Sequence, residues 1–443
     1  MPPIMTLVLI ISQASGQDIP IRLTADEAVA AALSNSRSLK IAALNEQVAR
    51  ARCKETEAAF LPQVGISWSA MTTDNPLNAF GFRLQQKAIG QTDFDPARLN
   101  HPAATPDFMT SFDVQQPLLN MDLVYQRRSI SMQTEASRLQ GRRTKEEVIF
   151  STREAYMQLQ LAYQVQKVME DALTSTLALY LYTSHRVDQG MLTRADALNT
   201  RVRVKTIESQ LAEAKSQVRN ASDHLGFLMG QPPGPVYATD STPGSATDTA
   251  VENRSADPAN SSLPDDRADL SALRTSIRAS DLMIRSLRMS ALPRLNAFGS
   301  YQFNDSRMFG FGAAGYIAGV RLSWDIFKGN SIHNRSATLA LEKSRLSEQY
   351  ALYKEQSEVE LNAALRKRAD AGFRISQQQV AVAAAAESYR ILRDRYEQGL
   401  SGSTDVLLAQ TQVAQQQLAL ARAVFDLDLT RAYIDFLTTS SEK

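Results

Sequence analysis

One twelve-residue pattern occurs twice in this chain, each time between two long stretches of helical periodicity. The first copy, Val187 to Leu198, reads Val-Asp-Gln-Gly-Met-Leu-Thr-Arg-Ala-Asp-Ala-Leu; the second, Tyr396 to Leu407, reads Tyr-Glu-Gln-Gly-Leu-Ser-Gly-Ser-Thr-Asp-Val-Leu. In both, a glycine able to take the left-handed conformation that stops a helix is followed by a hydroxyl, Thr193 or Ser401. An acid, Asp196 or Asp405, then sits where it complements the positive end of the next helix dipole. One such turn is ordinary, whereas two in matching positions of two chain halves mean duplication.

The helices after the turns extend the match. Steps of seven give Ala197, Val204, Leu211, Val218 and Leu225 after the first turn, and Val406, Val413, Leu420, Leu427 and Ile434 after the second. A sustained seven-residue apolar stripe on an otherwise polar helix is a coiled-coil seam, so these helices pack side by side rather than around a globular core.

Upstream of each hairpin the period changes to two. Helix signals from Thr24, broken near Asn35-Ser36-Arg37, end at Phe60-Leu61-Pro62, and Val64, Ile66, Trp68 and Ala70 then alternate with polar or small residues. A proline-bearing segment, Thr73 to Asp107, reads as a large surface loop before a second strand over Met109 to Leu118. The second half repeats this order. A helix over Asp269 to Met289 ends at Ala291-Leu292-Pro293, and a strand follows from Leu295. After a glycine-rich turn at Phe309 to Gly315, the fourth strand places Tyr316, Ala318, Val320, Leu322, Trp324 and Ile326 on one face.

Two-faced strands of about ten residues fit a tilted membrane crossing. Four strands cannot close a barrel, and open edges do not survive in hydrocarbon, so several copies must share it. Trp68, Phe80, Phe82, Phe108, Phe303, Phe309, Phe311, Trp324 and Phe327 are candidates for interfacial aromatic girdles.

The expected divisions are a secretory signal peptide over 1–16, a first repeat over 17–230, a linker over 231–266 and a second repeat over 267–443. The repeats carry β-hairpins at 62–118 and 294–327 and helical tips at 190 and 399. No cysteine follows the apolar start, which argues against a lipid anchor. A net charge of +1 gives no sign of a nucleic-acid partner. The single cysteine and the dispersed His101, His185, His224 and His333 suggest no metal site and no cofactor, and no arrangement of residues suggests an enzyme.

These features together resemble the TolC-like outer-membrane efflux family over essentially the whole mature chain. The resemblance is carried by Leu23-Thr24-Ala25-Asp26-Glu27-Ala28-Val29 and the two Leu-Pro junctions. Val114 to Leu119, its counterpart Leu322 to Phe327, and the two glycine turns complete it. The resemblance implies an α+β membrane protein in which a long helical coiled-coil barrel continues a transmembrane β-barrel of four strands per chain, closed as a twelve-stranded homotrimer. It implies a passive exit duct of a tripartite efflux pump or type I secretion system, set in outer-membrane lipid of a Gram-negative bacterium. Its partners would be a periplasmic adaptor (membrane fusion) protein and an inner-membrane transporter, with the linker and C-terminal tail in an equatorial belt. A non-porous periplasmic coiled coil is the alternative. Residue by residue, Tyr396 matches the family's gate tyrosine, Asp196 its hydrogen-bond partner, and Asp405 one of two aspartates ringing the narrowest point. Ser401 stands where the family has an arginine, and Leu408 where it has the second aspartate. Gly190, Met191, Leu192, Gly399, Leu400 and Ser401 would form the adaptor-docking tips.

Overall fold

The computed structural model describes residues 20–239 and 262–440. The expected signal peptide, and most of the expected linker, lie outside the described residues. The chain divides into two units. One takes in the described residues of Met1–Ala43, Gly141–Ala268 and Tyr353–Lys443; the other takes in Leu44–Gln140 and Asp269–Leu352.

The elements run β1 (Ile21–Leu23), α1 (Ala25–Asn35), α2 (Arg37–Ala58), β2 (Gln63–Thr73), α3 (Pro76–Gln85), α4 (Pro96–Asn100), β3 (Thr105–Leu119), α5 (Met121–Asp188) and α6 (Arg194–Leu228). After β4 (Tyr237–Thr239) come α7 (Ala268–Met289), β5 (Arg294–Asp305), β6 (Ala313–Ser323), α8 (Ser331–Glu397) and α9 (Ser403–Thr438). At 68 residues, α5 is about 100 Å long.

In the second unit, four antiparallel strands form one sheet in the order β2-β3-β5-β6. Its register turns the alternation of each strand into two continuous faces. Val64 lies opposite Val114 and Ile66 opposite Phe112; Phe112 lies opposite Tyr301 and Val114 opposite Gly299. Leu295, Ala297 and Tyr301 meet Leu322, Val320 and Tyr316. One face is therefore apolar across all four strands, and its side chains are largely exposed. The other face carries hydrogen-bonded polar groups: Ser111 Oγ contacts Asp113 and Ser300, each at 2.9 Å. Among the described residues, β2 pairs only with β3 and β6 only with β5, which leaves an open edge on each.

Two expectations for this unit need correction. The segment after Thr73 is not a structureless loop, because it holds α3 and α4. Asn75 caps α3 and Asp95 caps α4, so Pro76 and Pro96 occupy first-turn positions, where a missing N–H costs nothing. Trp324 and Ile326 continue the apolar alternation, but β6 ends at Ser323, which pairs with the first residue of β5, so no partner strand lies beside them. The aromatics also separate. Trp68 stacks on Phe108 and Phe309, and Phe303 packs against Phe311, whereas Phe80 pairs with Phe94 in the α3–α4 insertion.

In the first unit, Thr24 and Glu27 cap α1 reciprocally, and the chain breaks at Ser36 as the sequence suggests. A parallel β1–β4 pair gives the described start of the linker a structure that its composition does not announce. Ala28, Tyr156, Leu159, Val218, Leu225, Met229 and Tyr237 form a core beside it. Tyr156 donates to the Leu23 carbonyl at 3.0 Å and Tyr163 to the Tyr237 carbonyl at 2.8 Å. The seven-residue stripes are seams. Val204, Leu211, Val218 and Leu225 are buried on α6, as are Val406, Leu427 and Ile434 on α9, while Ala197, Val413 and Leu420 are half-buried. No described helix is long and apolar enough to cross a membrane.

Candidate gate at the helical tips

Both tips lie in the first unit, and their backbones match bond for bond. Gly190 and Gly399 have φ of +73° and +78°, the region that penalises a Cβ. The Gly190 N–H donates to the Val187 carbonyl and the Met191 N–H to the Arg186 carbonyl, at 2.9 and 2.8 Å. The Gly399 N–H donates to Tyr396 and the Leu400 N–H to Arg395, at 3.0 and 2.8 Å. These are two Schellman closures, each satisfying the last carbonyls of a long helix.

The following helix starts differ. Thr193 caps α6 reciprocally with Asp196: its Oγ1 donates to the carboxylate at 2.7 Å and accepts from the Asp196 N–H at 3.3 Å. At the second tip the cap position is Gly402, which has no side chain to offer. Asp405 there accepts one backbone bond, from the Gly402 N–H at 3.2 Å, and is exposed. The second oxygen of Asp196 accepts from Ser403 Oγ at 2.9 Å and so ties one tip to the other. The Thr193 hydroxyl, followed by that of Ser403, holds the Asp196 carboxyl below the usual carboxylate range.

Tyr396 is buried, at 4% exposure, against Leu179 and Val406, with Tyr182 edge-on to its ring. Its hydroxyl bonds to Thr183 Oγ1 at 2.8 Å. Within the single chain Tyr396 and Asp196 therefore do not bond to each other, and each joins the two hairpins through a different partner. Burial pushes the Tyr396 hydroxyl up, so it stays protonated and able to donate. Of the expected docking residues, Met191 and Leu400 project into solvent, Leu192 packs beside the Tyr396 cluster, and Ser401 Oγ turns back to the Leu392 carbonyl at 3.1 Å.

Further cross-links lie nearby that the sequence reading did not single out. Tyr182 Oη and the Arg186 guanidinium both donate to the Glu397 carbonyl, at 3.1 and 3.2 Å. The buried Gln410 amide donates to the Ala172 carbonyl and to Thr176 Oγ1, at 2.9 and 2.8 Å. Arg203 donates to Thr411 Oγ1 at 2.8 Å. A signal for part of this was available: Ala155, Ala162, Met169, Thr176 and Thr183 are spaced by sevens and all buried, so the α5 seam turns polar toward its tip. Among the described residues, no group of three or more His, Cys, Asp or Glu side chains is gathered to hold a metal.

Long helices seamed by sevens, a sheet with one apolar face and two open edges, and paired tips tied by hydrogen bonds define a membrane-directed helical protein. The chain matches the sequence profile of the outer membrane efflux protein family over residues 28–231 and 261–438. It belongs to that family. Among solved structures it is similar to CusC, reported for conformational changes accompanying folding and transmembrane channel formation, with 17% identity and a TM-score of 0.79 over 94% of this chain and 92% of that one. It is similar to the CmeC outer membrane channel of Campylobacter jejuni, with 17% identity and a TM-score of 0.75 over 94% and 85%. It is also similar to the outer membrane protein VceC of Vibrio cholerae, with 18% identity and a TM-score of 0.74 over 94% and 96%. Likenesses at this identity show the fold alone. No curated protein sequence matches the chain.

Proposed function

We propose that the chain is the outer-membrane exit duct of a tripartite efflux pump or type I secretion system. Three copies join β6 of one to β2 of the next, closing a twelve-stranded barrel and a helical tunnel. The observation that carries this reading is the sheet itself, with an apolar outer face, a polar inner face and two unpaired edges. Such a sheet is unstable in water through its exposed face, and unstable in lipid through its edges unless other copies complete it. Exposed apolar residues on helices, Ile41, Leu44 and Val48 on α2 and Leu352, Val359, Phe373 and Val380 on α8, support the same neighbour contacts. A non-porous periplasmic coiled coil leaves the apolar sheet face without a purpose.

At the tips, Tyr396 and Asp196 act as latches between hairpins, and three copies of Asp405 ring the axis. Carboxylates close together repel, favour cations and exclude anions. Gly190, Met191, Leu192, Gly399, Leu400 and Ser401 present the docking surface for a periplasmic adaptor, which couples the duct to an inner-membrane transporter. The duct is passive, so the energy for transport belongs to that transporter. The test is the mass of the detergent-solubilised protein together with its conductance in a planar bilayer. A trimer with cation-selective conductance supports the duct, and a detergent-independent, non-conducting species contradicts it.

A further inference from the structure

A cavity of about 670 Å³ lies where β6 passes into α8. Arg288, Trp324, Ile326, Phe327, Lys328 and His333 are among its lining residues. Ile326 and Phe327 are 81% and 79% exposed, in a segment that is neither strand nor helix. Trp324 is pinned, its Nε1–H donating to the Ala291 carbonyl at 3.0 Å. The indole's one polar atom is thereby satisfied and its apolar surface stays available.

The charges here do not cancel. Lys328 pairs with Asp325 at 2.6 Å. Arg288 and His333 have no side-chain partner among the described residues, which leaves a guanidinium uncompensated at the rim of an apolar recess. The recess also continues the apolar face of β6, since Tyr316, Ala318, Val320 and Leu322 are followed at the same spacing by Trp324 and Ile326. An apolar surface running up to an unpaired guanidinium is complementary to an amphiphile with an anionic head.

We propose that this recess holds an anionic glycerophospholipid, with its phosphodiester on the unpaired Arg288 and its acyl chains along Ile326, Phe327 and the β6 face. This rests on the proposed membrane placement of the sheet. The volume falls within the range of pockets that enclose small ligands, about 300–1,000 Å³. Lipid held here would fix the depth of the barrel at the boundary between strand and helix.

The chain's two tryptophans make the test direct, because Trp68 lies on the same sheet face near its other end. The full-length protein is placed in phosphatidylcholine vesicles containing a minor fraction of bromine-labelled phosphatidylglycerol or bromine-labelled phosphatidylcholine. Trp68→Phe isolates Trp324, and Trp324→Phe isolates Trp68. The expected result is that Trp324 is quenched by the anionic lipid with roughly fivefold higher apparent affinity. Arg288→Gln abolishes that preference, and Trp68 is quenched equally by both lipids. Should Trp68→Phe fail to fold, Arg288→Gln in the otherwise unaltered chain must still lower total quenching by the anionic lipid. Equal quenching of Trp324 by the two lipids, or a preference that survives Arg288→Gln, overturns the site while quenched Trp68 upholds the membrane placement. Trp324 shielded from both lipids means that a neighbouring copy covers the recess, which also overturns it. If Trp68 is unquenched as well, the membrane placement itself is wrong.

Discussion

The first and second tips share a backbone and part at the helix start, above all at the cap position. Both close with the same pair of bonds around a glycine of positive φ. The first then has Thr193 to cap α6, and the second has Gly402, which caps nothing through its side chain. That difference divides the labour of two aspartates at equivalent positions. Asp196 spends both oxygens, on Thr193 and on Ser403 of the other hairpin. Asp405 takes one backbone bond and keeps the rest of its carboxylate exposed. Duplication preserves the turn; divergence at the cap makes one acid a strut between the hairpins and leaves the other exposed.

The comparison breaks most visibly at Tyr396, which lies beneath both tips. Tyr396→Ala removes a buried ring from the contact of Leu179 and Val406 and leaves Thr183 Oγ1 with only its bond to the Leu179 carbonyl, at a cost of about 3–5 kcal/mol. Hydrogen exchange should quicken at both tips, and single-channel conductance should rise. Tyr396→Phe keeps the ring and loses only the hydroxyl bond, about 1 kcal/mol, and should show a smaller change in the same direction.

Gly190→Ala and Gly399→Ala test the shared backbone. A Cβ meets nothing within 4 Å at either position, so the penalty is conformational alone, about 1–2 kcal/mol, and equal at the two tips. Unequal penalties in thermal melts would mean that the tips are not equivalent. At the caps the two tips should respond unequally. Thr193→Ala should cost about 1 kcal/mol, whereas Gly402→Ser should stabilise its helix by a few tenths. The position has extended backbone, and an added Cβ would come no closer than 3.7 Å to Asp405.

Acid provides the gentlest probe. The Asp196 carboxyl is depressed in the folded chain, so its contribution is complete above the unfolded value of about 3.9 and fades as pH falls through the folded value. Exchange at the tips should be flat from about pH 7 to 4 after correction for intrinsic rates, then rise below that, and Asp196→Asn should remove the rise.

Much of this arrangement is legible in the sequence, for identifiable reasons. The seams and strands announce themselves by period, and the tips by repeated glycine and acid. The β1–β4 pair does not, because three residues on each side carry no period. The α3 and α4 helices hide because Pro76 and Pro96 look like breakers until Asn75 and Asp95 are seen as caps. Trp324 and Ile326 keep the alternation of β6 after its hydrogen bonds have ended, since pattern records which side a residue faces but not whether a partner strand lies beside it. At the proposed gate, Asp196, Tyr396 and Asp405 stand out by their positions in the repeat, but their bonding partners do not. Thr183 and Ser403 each lie more than 200 residues away in sequence, and only the packed hairpins bring them into reach.

The most direct measurement is conductance in a planar bilayer for the wild type, Asp196→Ala and Asp405→Asn, with a trivalent cation added on the tip side. Stable cation-selective channels that the trivalent ion blocks are the expected result. Asp196→Ala should raise conductance and leave the block in place, while Asp405→Asn should weaken the block by tenfold or more, the order expected when the carboxylates of a narrow ring are neutralised. Channels blocked equally in all three proteins, with no gain in conductance from Asp196→Ala, would contradict the division of labour between the two tips.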